Sequence, residues 1–308
     1  MDKERYSWNL KAEKLLDKTF NSSVKIESVL PAGGGCINEC YVLKTTAGKF
    51  FLKRNAISNF TGVFLNSGGV SGGLFECESK GLYLLNETMP GISPKVIAVE
   101  EDNHELLLIL EQIESGAPQK EFWYDFASKL STMHRRTDEF FGLDHNNYIG
   151  SLPQSNKRHN DWISFFILER IEPQLKKAID ENSLAKEIHR AFEKLFSKLK
   201  EIFPSENSAL IHGDLWSGNY MIGNDGWVRL IDPAVYFGFR EMDLAMMKLF
   251  GGFDSSFYRH YHDFFPLETG FEKRVDICNL YPLLVHVNLF EGHYASEVGT
   301  IMKQFRPR

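Results

Sequence analysis

The stretch from residue 210 to residue 243 constrains this chain most, because it sets three polar side chains at fixed steps between apolar segments. It reads LIHGDLWSGNYMIGNDGWVRLIDPAVYFGFREMD. Asn219 follows Asp214 by five residues, and Asp232 follows Asn219 by thirteen. Asp232 comes immediately after the largely apolar run VRLI, residues 228–231. These residue types at these steps are typical of a site that holds polyphosphate and metal while one hydroxyl is deprotonated, which is the chemistry of phosphoryl transfer.

The apolar residues on both sides predict two short strands with a polar loop between them. In that loop Asp214 can accept a proton from a substrate hydroxyl, and Asn219 and Asp232 offer the hard oxygen ligands that Mg²⁺ prefers. Either aspartate alone would more often simply close a turn, because Asp is common at strand ends. The combination of HGDxxxxN, an apolar strand and a further Asp favours the functional interpretation.

Composition narrows the range of partners. The chain has 308 residues, 43% of them hydrophobic, with a formal net charge of −6 and a pI near 6.0, so we expect a packed core and no nucleic-acid partner. The first residues are charged and lack the apolar core of a signal peptide, and the longest strongly apolar run, Leu106 to Leu110, is far too short to span a bilayer. We therefore expect a cytoplasmic protein with no membrane partner. Four cysteines without CxxC or metal-type spacing predict reduced thiols.

The segments HGDLWSGN, LIDPA, GGGCINE and MMKLFGGF resemble the fructosamine kinase (ketosamine-3-kinase) family, within the aminoglycoside-phosphotransferase-like branch of the protein-kinase fold. The resemblance covers nearly the whole chain. It implies an α+β, bilobal, protein-kinase-like fold, with a five-stranded antiparallel sheet plus a helix in the small lobe and a larger, mainly helical lobe. The implied boundaries are residues 1–111 for the N-terminal ATP-binding lobe and residues 112–308 for the C-terminal catalytic and substrate-binding lobe.

A glycine-rich bend interrupts the strand pattern near the start of the chain. Gly33, Gly34 and Gly35 lack side chains, so the backbone can approach a triphosphate and direct N–H groups at its oxygens. A glycine triplet alone more often marks a plain hairpin turn. The resemblance implies an ATP-binding loop that also includes Cys36 and Asn38, the latter standing where protein kinases have the third glycine of GxGxxG. Phosphate-binding amides would favour a thiolate at Cys36, which makes it a candidate redox-sensitive position.

Lys53 lies in the third predicted strand, where kinases place a lysine that pairs with the α- and β-phosphates of ATP. A solvated strand lysine is the commoner fate of Lys, but the preceding glycine bend favours the functional interpretation. Its partner should be an acid on the following helix, where Glu78 fits the family's Phe-x-x-Glu position and Glu76 is the alternative. In the kinase fold the crossing between lobes holds the adenine edge, so Glu111 and Ile113 are the hinge candidates.

Further residues are expected to support the catalytic loop, residues 212–219, or to bind the acceptor. His212 is expected to brace the loop through hydrogen bonds, and Asp243 resembles the acid that supports it from the next helix. Trp216 offers an apolar face that packs against a sugar ring, although large aromatics are often core residues. His286 and Asn288 can reach the acceptor site, but as lone residues in an apolar helix they are more often satisfied core groups.

The sequence therefore predicts a small-molecule kinase that uses ATP and Mg²⁺, with Asp214 orienting and deprotonating the acceptor hydroxyl. Because the transition state is loose, Asp214 needs no unusual pKa. The resemblance implies a ketosamine acceptor, free or protein-bound, phosphorylated on the 3-hydroxyl of its sugar, and hence a role in protein deglycation. We expect a monomer or a weak dimer. Two alternatives remain: a kinase of the same branch acting on an aminoglycoside, choline or homoserine, and a catalytically inactive kinase-like binding module.

Overall fold

The computed structural model describes most of the chain in two compact units. The first unit contains the described residues up to Lys120 together with Met221–Ile231, and the second contains Glu121–Tyr220 and the described residues from Asp232 onward. No helix within these ranges is both long and apolar enough to cross a bilayer. The described residues are 8–33, 38–56, 73–102, 104–290 and 292–305.

Three residues of the expected ATP-binding loop, Gly34, Gly35 and Cys36, lie outside the described residues. The remainder of the first unit is built around one antiparallel sheet. Its elements up to Lys120 are α1 (Asn9–Phe20), β1 (Ile26–Pro31), β2 (Glu39–Thr45), β3 (Gly48–Ala56), α2 (Leu74–Thr88), β4 (Val96–Glu101) and β5 (Glu105–Glu111). All neighbouring strands are antiparallel, and their order in the sheet is β1-β2-β3-β5-β4. The expected α+β class and five-stranded sheet are confirmed.

Alternating apolar residues explain how this sheet packs. Phe50 and Leu52 are buried two positions apart in β3, and Leu107 and Ile109 are buried two positions apart in β5. These four side chains share a core with α1, where Leu16 is fully buried. A one-residue slip would expose the whole set, so this core fixes the register of β3, the strand that carries the predicted ATP-binding lysine.

The rest of the chain is mainly helical. Its elements are α3 (Phe122–His134), β6 (Asn147–Ile149), β7 (Leu152–Gln154), α4 (Trp162–Phe165), a π-helix (Phe166–Ile171), α5 (Glu172–Asp180), α6 (Ile188–Phe196), α7 (Leu199–Ile202), β8 (Ala209–Ile211), β9 (Tyr220–Ile222), β10 (Val228–Leu230), β11 (Tyr236–Gly238), α8 (Glu241–Phe250), α9 (Ser255–Phe264), α10 (Phe271–Leu289) and α11 (Tyr294–Met302). A 3₁₀ turn, Lys303–Phe305, follows. The short strands pair as β6 with β7, β8 with β11 and β9 with β10.

The periodicity of residues 161–179 predicts one helix, but the structure has three consecutive helical pieces over residues 162–180. The first piece starts where the Asp161 carboxylate accepts the Ser164 N–H at 2.9 Å, which is an N-cap. The middle piece is a π-helix, a wider turn that shifts the side chains following it. As a result Arg170 is fully buried, although the sequence gives no sign of this position.

The second unit has its own apolar core, to which α4, α5, α6, α8, α10 and α11 all contribute. Strands β8 and β11 run through this core, with Ile211 opposite Tyr236 and both side chains fully buried. This pairing brings the segment before β11 next to the loop after β8. The HGDLWSGN loop and residues 232–234 therefore meet inside the second unit.

Candidate active site

Two glycines shape the loop that follows β8. Gly213 has φ +82°, and a Cβ there would lie 2.2 Å from the Ala234 carbonyl oxygen, so glycine is required. A Cβ on Gly218 would lie 2.3 Å from the Trp216 indole, which therefore rests against bare backbone. The Ala234 N–H donates to the His212 carbonyl at 2.9 Å and joins the loop to the segment before β11.

Asp214 and Asn219 are hydrogen-bonded within this loop. The Asn219 Nδ2 group donates to the Asp214 backbone carbonyl at 2.8 Å and to the Asp214 carboxylate at 2.7 Å. Asn219 is buried, and both bonds use its NH₂ end. Its carbonyl oxygen is therefore the end that can ligate a cation.

Asp243, in the first turn of α8, supports the loop from within the second unit. Its carboxylate accepts the His212 N–H at 2.7 Å and the Gly213 N–H at 2.9 Å. It also lies 3.1 Å from His134 Nε2, and His134 Nδ1 lies 2.7 Å from the Tyr261 hydroxyl. Asp243, His134 and Tyr261 are all buried, so a polar network in the interior holds the start of the loop.

The Asp214 carboxyl has a strongly shifted pKa. Burial raises its pKa to about 7, the Asn219 hydrogen bond opposes the shift, and the negative charges of Asp232 and Asp243 add to it. From the sequence, the reaction is not expected to require a shifted pKa at Asp214, and that stays a prediction; the fold nevertheless raises this pKa, through desolvation and two nearby carboxylates. A pKa close to neutrality suits a general base.

The two predicted metal ligands fit a hard divalent cation. Asp232 has φ +56°, a left-handed conformation that is uncommon outside glycine, and its charge acts on Asp214. With Asp243, these carboxylates concentrate negative charge that a cation would neutralise. Among the described residues no three His, Cys, Asp or Glu side chains are grouped to hold a metal alone. Asn219 and Asp232 carry oxygen donors of the kind that Mg²⁺ takes from a protein, where a few such ligands act together with phosphates and waters.

Asp214 lines a cavity in the second unit. The cavity wall also includes Tyr236, Met246, Tyr281 and His286. The phenol rings and the methionine make the wall largely apolar, while Asp214 and His286 are its two titratable groups apart from the phenols. The structure therefore brings the predicted base together with one of the predicted substrate residues.

His286 and Asn288 have different surroundings. The His286 Nδ1–H donates to the Pro282 carbonyl at 2.7 Å, so Nε2 is the acceptor of the neutral ring. Burial lowers the pKa of His286 and so favours that neutral form. The Asn288 amide instead donates to the backbone oxygen and the side-chain oxygen of Gln174, at 2.9 and 2.8 Å. The interpretation of Asn288 as a substrate residue is corrected, because its amide joins α10 to α5 and does not line the cavity.

Trp216 lies beside the cavity residues and is not part of the cavity wall. Its half-buried indole is 5.9 Å from the Phe250 ring, edge to face, and Phe250 is in turn 5.0 Å from the His286 ring. An aromatic series thus runs from the catalytic loop to His286.

In the first unit, Lys53 is paired with an acid on α2. Its ammonium nitrogen lies 2.7 Å from the Glu78 carboxylate, and the Lys53 residue is only 4% exposed. Glu76, the alternative partner, is exposed on the same helix. The structure therefore selects Glu78 as the ion-pair partner.

The remaining predicted nucleotide contacts in the first unit are backbone positions. A Cβ on Gly33 would meet no atom of the described residues within 4 Å, and Asn38 accepts the Asn55 amide at 2.7 Å. Glu111 ends β5, with its N–H bonded at 2.8 Å to the carbonyl of the residue before β4. The Ile113 carbonyl accepts the side-chain amide of the preceding glutamine at 2.9 Å.

Sequence reasoning missed several residues of the site. His134 and Tyr261 support Asp243, while Tyr236 and Tyr281 line the cavity. His134 and Asp243 are 109 residues apart, and none of the four stands in a recognisable motif. In an apolar helix or strand such residues look like ordinary core positions, so no local signal could have identified them.

Comparison with known proteins finds kinases that are similar to this chain over nearly its whole length. The model of the fructosamine kinase family matches residues 7–307. A protein of Enterococcus faecium named "Probable ketoamine kinase" is 34% identical over 94% of this chain and 99% of its own length. A chloroplastic protein-ribulosamine 3-kinase of Oryza sativa subsp. indica is 33% identical, covering 93% and 81%. A crystal structure assigned to a fructosamine-3-kinase of Thermobifida fusca has a TM-score of 0.81 at 29% identity and covers 97% of this chain and 98% of that one. The chain therefore has the fold of these kinases and belongs to the fructosamine kinase family.

Proposed function

We propose that this protein transfers the γ-phosphoryl group of ATP to the 3-hydroxyl of a ketosamine sugar, free or attached to a protein amine. The observation that carries the proposal is the position of Asp214. Its carboxylate is held by Asn219 in the catalytic loop and lines a cavity together with His286. Phosphorylation of protein-bound ketosamines would make this a deglycation enzyme.

In this mechanism the oxygen of the acceptor hydroxyl forms a bond to the γ-phosphorus of ATP while Asp214 accepts the proton of that hydroxyl. The bond between the γ-phosphorus and the oxygen that leaves with ADP breaks. Lys53 contacts the α- and β-phosphates, and Asn219 and Asp232 would hold Mg²⁺, which neutralises charge on the phosphates. The transition state is loose, so positioning of the hydroxyl contributes more than base strength. We assign ATP binding to residues 1–111 and acceptor binding to residues 112–308.

The cavity and the indole beside it offer two kinds of contact to a sugar. His286 Nε2 can accept a hydrogen bond from a sugar hydroxyl, because Nδ1–H is already committed to the Pro282 carbonyl. Trp216 offers an aromatic face for the C–H surface of the ring, next to Phe250. These contacts favour a polyhydroxylated acceptor with one apolar face.

An ATP-consumption screen over ribulosamine, erythrulosamine, fructosamine, choline and an aminoglycoside tests this proposal. We expect turnover with at least one ketosamine. NMR of the product should show that the phosphate is attached at the 3-hydroxyl. Turnover of choline or the aminoglycoside with no turnover of any ketosamine would assign the chain a different acceptor. Absence of ATP consumption with every acceptor would favour an inactive binding module.

A further inference from the structure

Aromatic rings surround His286 on the helices that follow the catalytic loop. Phe250, at the end of α8, lies 5.0 Å from the His286 ring, and Tyr294, at the start of α11, lies 4.8 Å from it. Phe290, just after α10, is 5.4 Å away. Because His286 also lines the cavity with Asp214, these rings adjoin the proposed acceptor site.

The Glu297 carboxylate lies on the same helix as one of these rings. Glu297 follows Tyr294 by three residues on α11, so the two side chains lie on the same face of that helix. The charge of Glu297 acts on the His286 ring. Glu297 also lies 2.8 Å from His293 Nε2, a bond that a neutral imidazole can donate without removing the carboxylate charge.

We infer that Glu297, Tyr294 and Phe250 form a subsite for the protonated amine of the acceptor. The inference rests on the proposed function. A ketosamine consists of a sugar and an alkylamine, and alkylamines are protonated at neutral pH. A carboxylate beside aromatic faces is the chemical environment that recognises an alkylammonium group. The sugar would then lie toward Asp214 and the amine toward α11.

The exposure of the subsite determines which amines can enter. The Glu297 side chain is 40% exposed, and Tyr294 is only partly buried. The substituent on the nitrogen can therefore extend into solvent while the charged nitrogen keeps its contacts. This arrangement accepts a small free amine as well as a lysine side chain that belongs to another protein.

The test compares a charged acceptor, a ketosamine with a secondary alkylamine, with an uncharged one, the same ketosamine acetylated on its nitrogen; because acetylation also adds bulk, the change of preference between wild type and variant is the readout. We expect the wild-type enzyme to prefer the charged acceptor in kcat/KM, and Glu297→Gln to reduce that preference about fivefold, mainly through KM. Glu193→Gln is the matched control, because Glu193 forms the same type of i,i+4 pair with His189 at 3.5 Å on α6. The control should keep the wild-type preference.

The outcomes separate the two proposals. An unchanged preference in Glu297→Gln, with both acceptors still phosphorylated, would overturn the amine subsite and leave the kinase function intact. Equal kcat/KM values for the two acceptors in the wild-type enzyme would also overturn the amine subsite. Failure of the wild-type enzyme to phosphorylate either acceptor would overturn the proposed function and the subsite together.

Discussion

Asn219 holds Asp214 at two points, the backbone carbonyl at 2.8 Å and the carboxylate at 2.7 Å. A side chain fixed at both its own backbone and its carboxylate has little freedom to rotate, so the base is oriented before the acceptor arrives. The same amide leaves its oxygen for a cation. Asn219 would thus link the proposed base to the proposed metal site.

This arrangement predicts a large loss of turnover in Asp214→Asn. The amide cannot accept the hydroxyl proton, so we expect kcat to fall by about 10²- to 10⁴-fold. Asp263→Asn, an exposed aspartate on α9, is the matched control and should turn over normally. Steady-state kinetics with ketosamine acceptors measure both variants, and near-normal turnover of Asp214→Asn would remove Asp214 from the role of base.

The same residue predicts how stability depends on pH. The pKa of Asp214 in the folded chain is about 7 against an ordinary value of 3.8, so the folded state binds this proton more tightly than the unfolded state. Stability from this group is therefore fully present below its ordinary pKa and is lost as the pH rises toward about 7. Asp214→Asn carries no such proton and should be more stable than wild type at about pH 8, by roughly 1–3 kcal/mol.

Thermal unfolding in EDTA, measured from about pH 5 to about pH 8, gives the comparison. We expect the Tm difference between Asp214→Asn and wild type to grow with pH, since only the wild type loses stability from this site. Parallel Tm curves for the two proteins would show that the Asp214 pKa is not raised by folding.

The ion pair of Lys53 with Glu78 predicts a selective effect on ATP use. Removing the acid leaves a nearly buried ammonium without this partner at 2.7 Å, so the lysine should lose its position. We expect Glu78→Gln to lower kcat/KM for ATP by roughly tenfold or more, in line with the cost of a lost charge-assisted bond. Glu76→Gln, on the exposed side of the same helix, should match wild type. Equal losses in both variants would contradict the assignment.

The parts of the fold and site that are contiguous in sequence could be predicted. The resemblance to the fructosamine kinase family implied the five-stranded sheet, and the alternating buried residues of β3 fit only one register. The HGDxxxxN spacing placed Asp214 and Asn219 in one loop, and the structure shows them hydrogen-bonded. The position of Lys53 on β3 followed from the strand order after the glycine bend.

Properties that depend on distant residues could not be predicted. The pKa of Asp214 is set by burial and by two carboxylates that the fold brings near, which spacing alone does not reveal. Asn288 looked as available as His286, and only the packing of α10 on α5 shows that its amide is taken by Gln174. The π-helix was not predicted because the apolar periodicity of residues 161–179 does not distinguish a π-turn from an α-turn.

Arg170, on that π-helix, predicts a strong effect on stability. Its guanidinium is fully buried, makes no ion pair within the described part of the chain, and stacks 3.9 Å from the Tyr236 ring centroid. It donates to the Ser155 carbonyl at 2.5 Å and to the Asn156 side-chain oxygen at 2.6 Å. A lysine has no planar guanidinium, so it cannot stack on the Tyr236 ring and also donate to both Ser155 and Asn156.

We therefore expect Arg170→Lys to lower the free energy of unfolding by roughly 2–4 kcal/mol, the range for breaking a buried polar network. The matched control is Arg190→Lys, an exposed position on α6, which should unfold at the wild-type urea concentration. Because Tyr236 also lines the cavity, the movement of its ring should raise KM for the acceptor more than KM for ATP. Urea unfolding followed by tryptophan fluorescence measures the first effect and steady-state kinetics the second. An Arg170→Lys protein with the midpoint of Arg190→Lys would show that the buried guanidinium adds nothing that a lysine cannot supply.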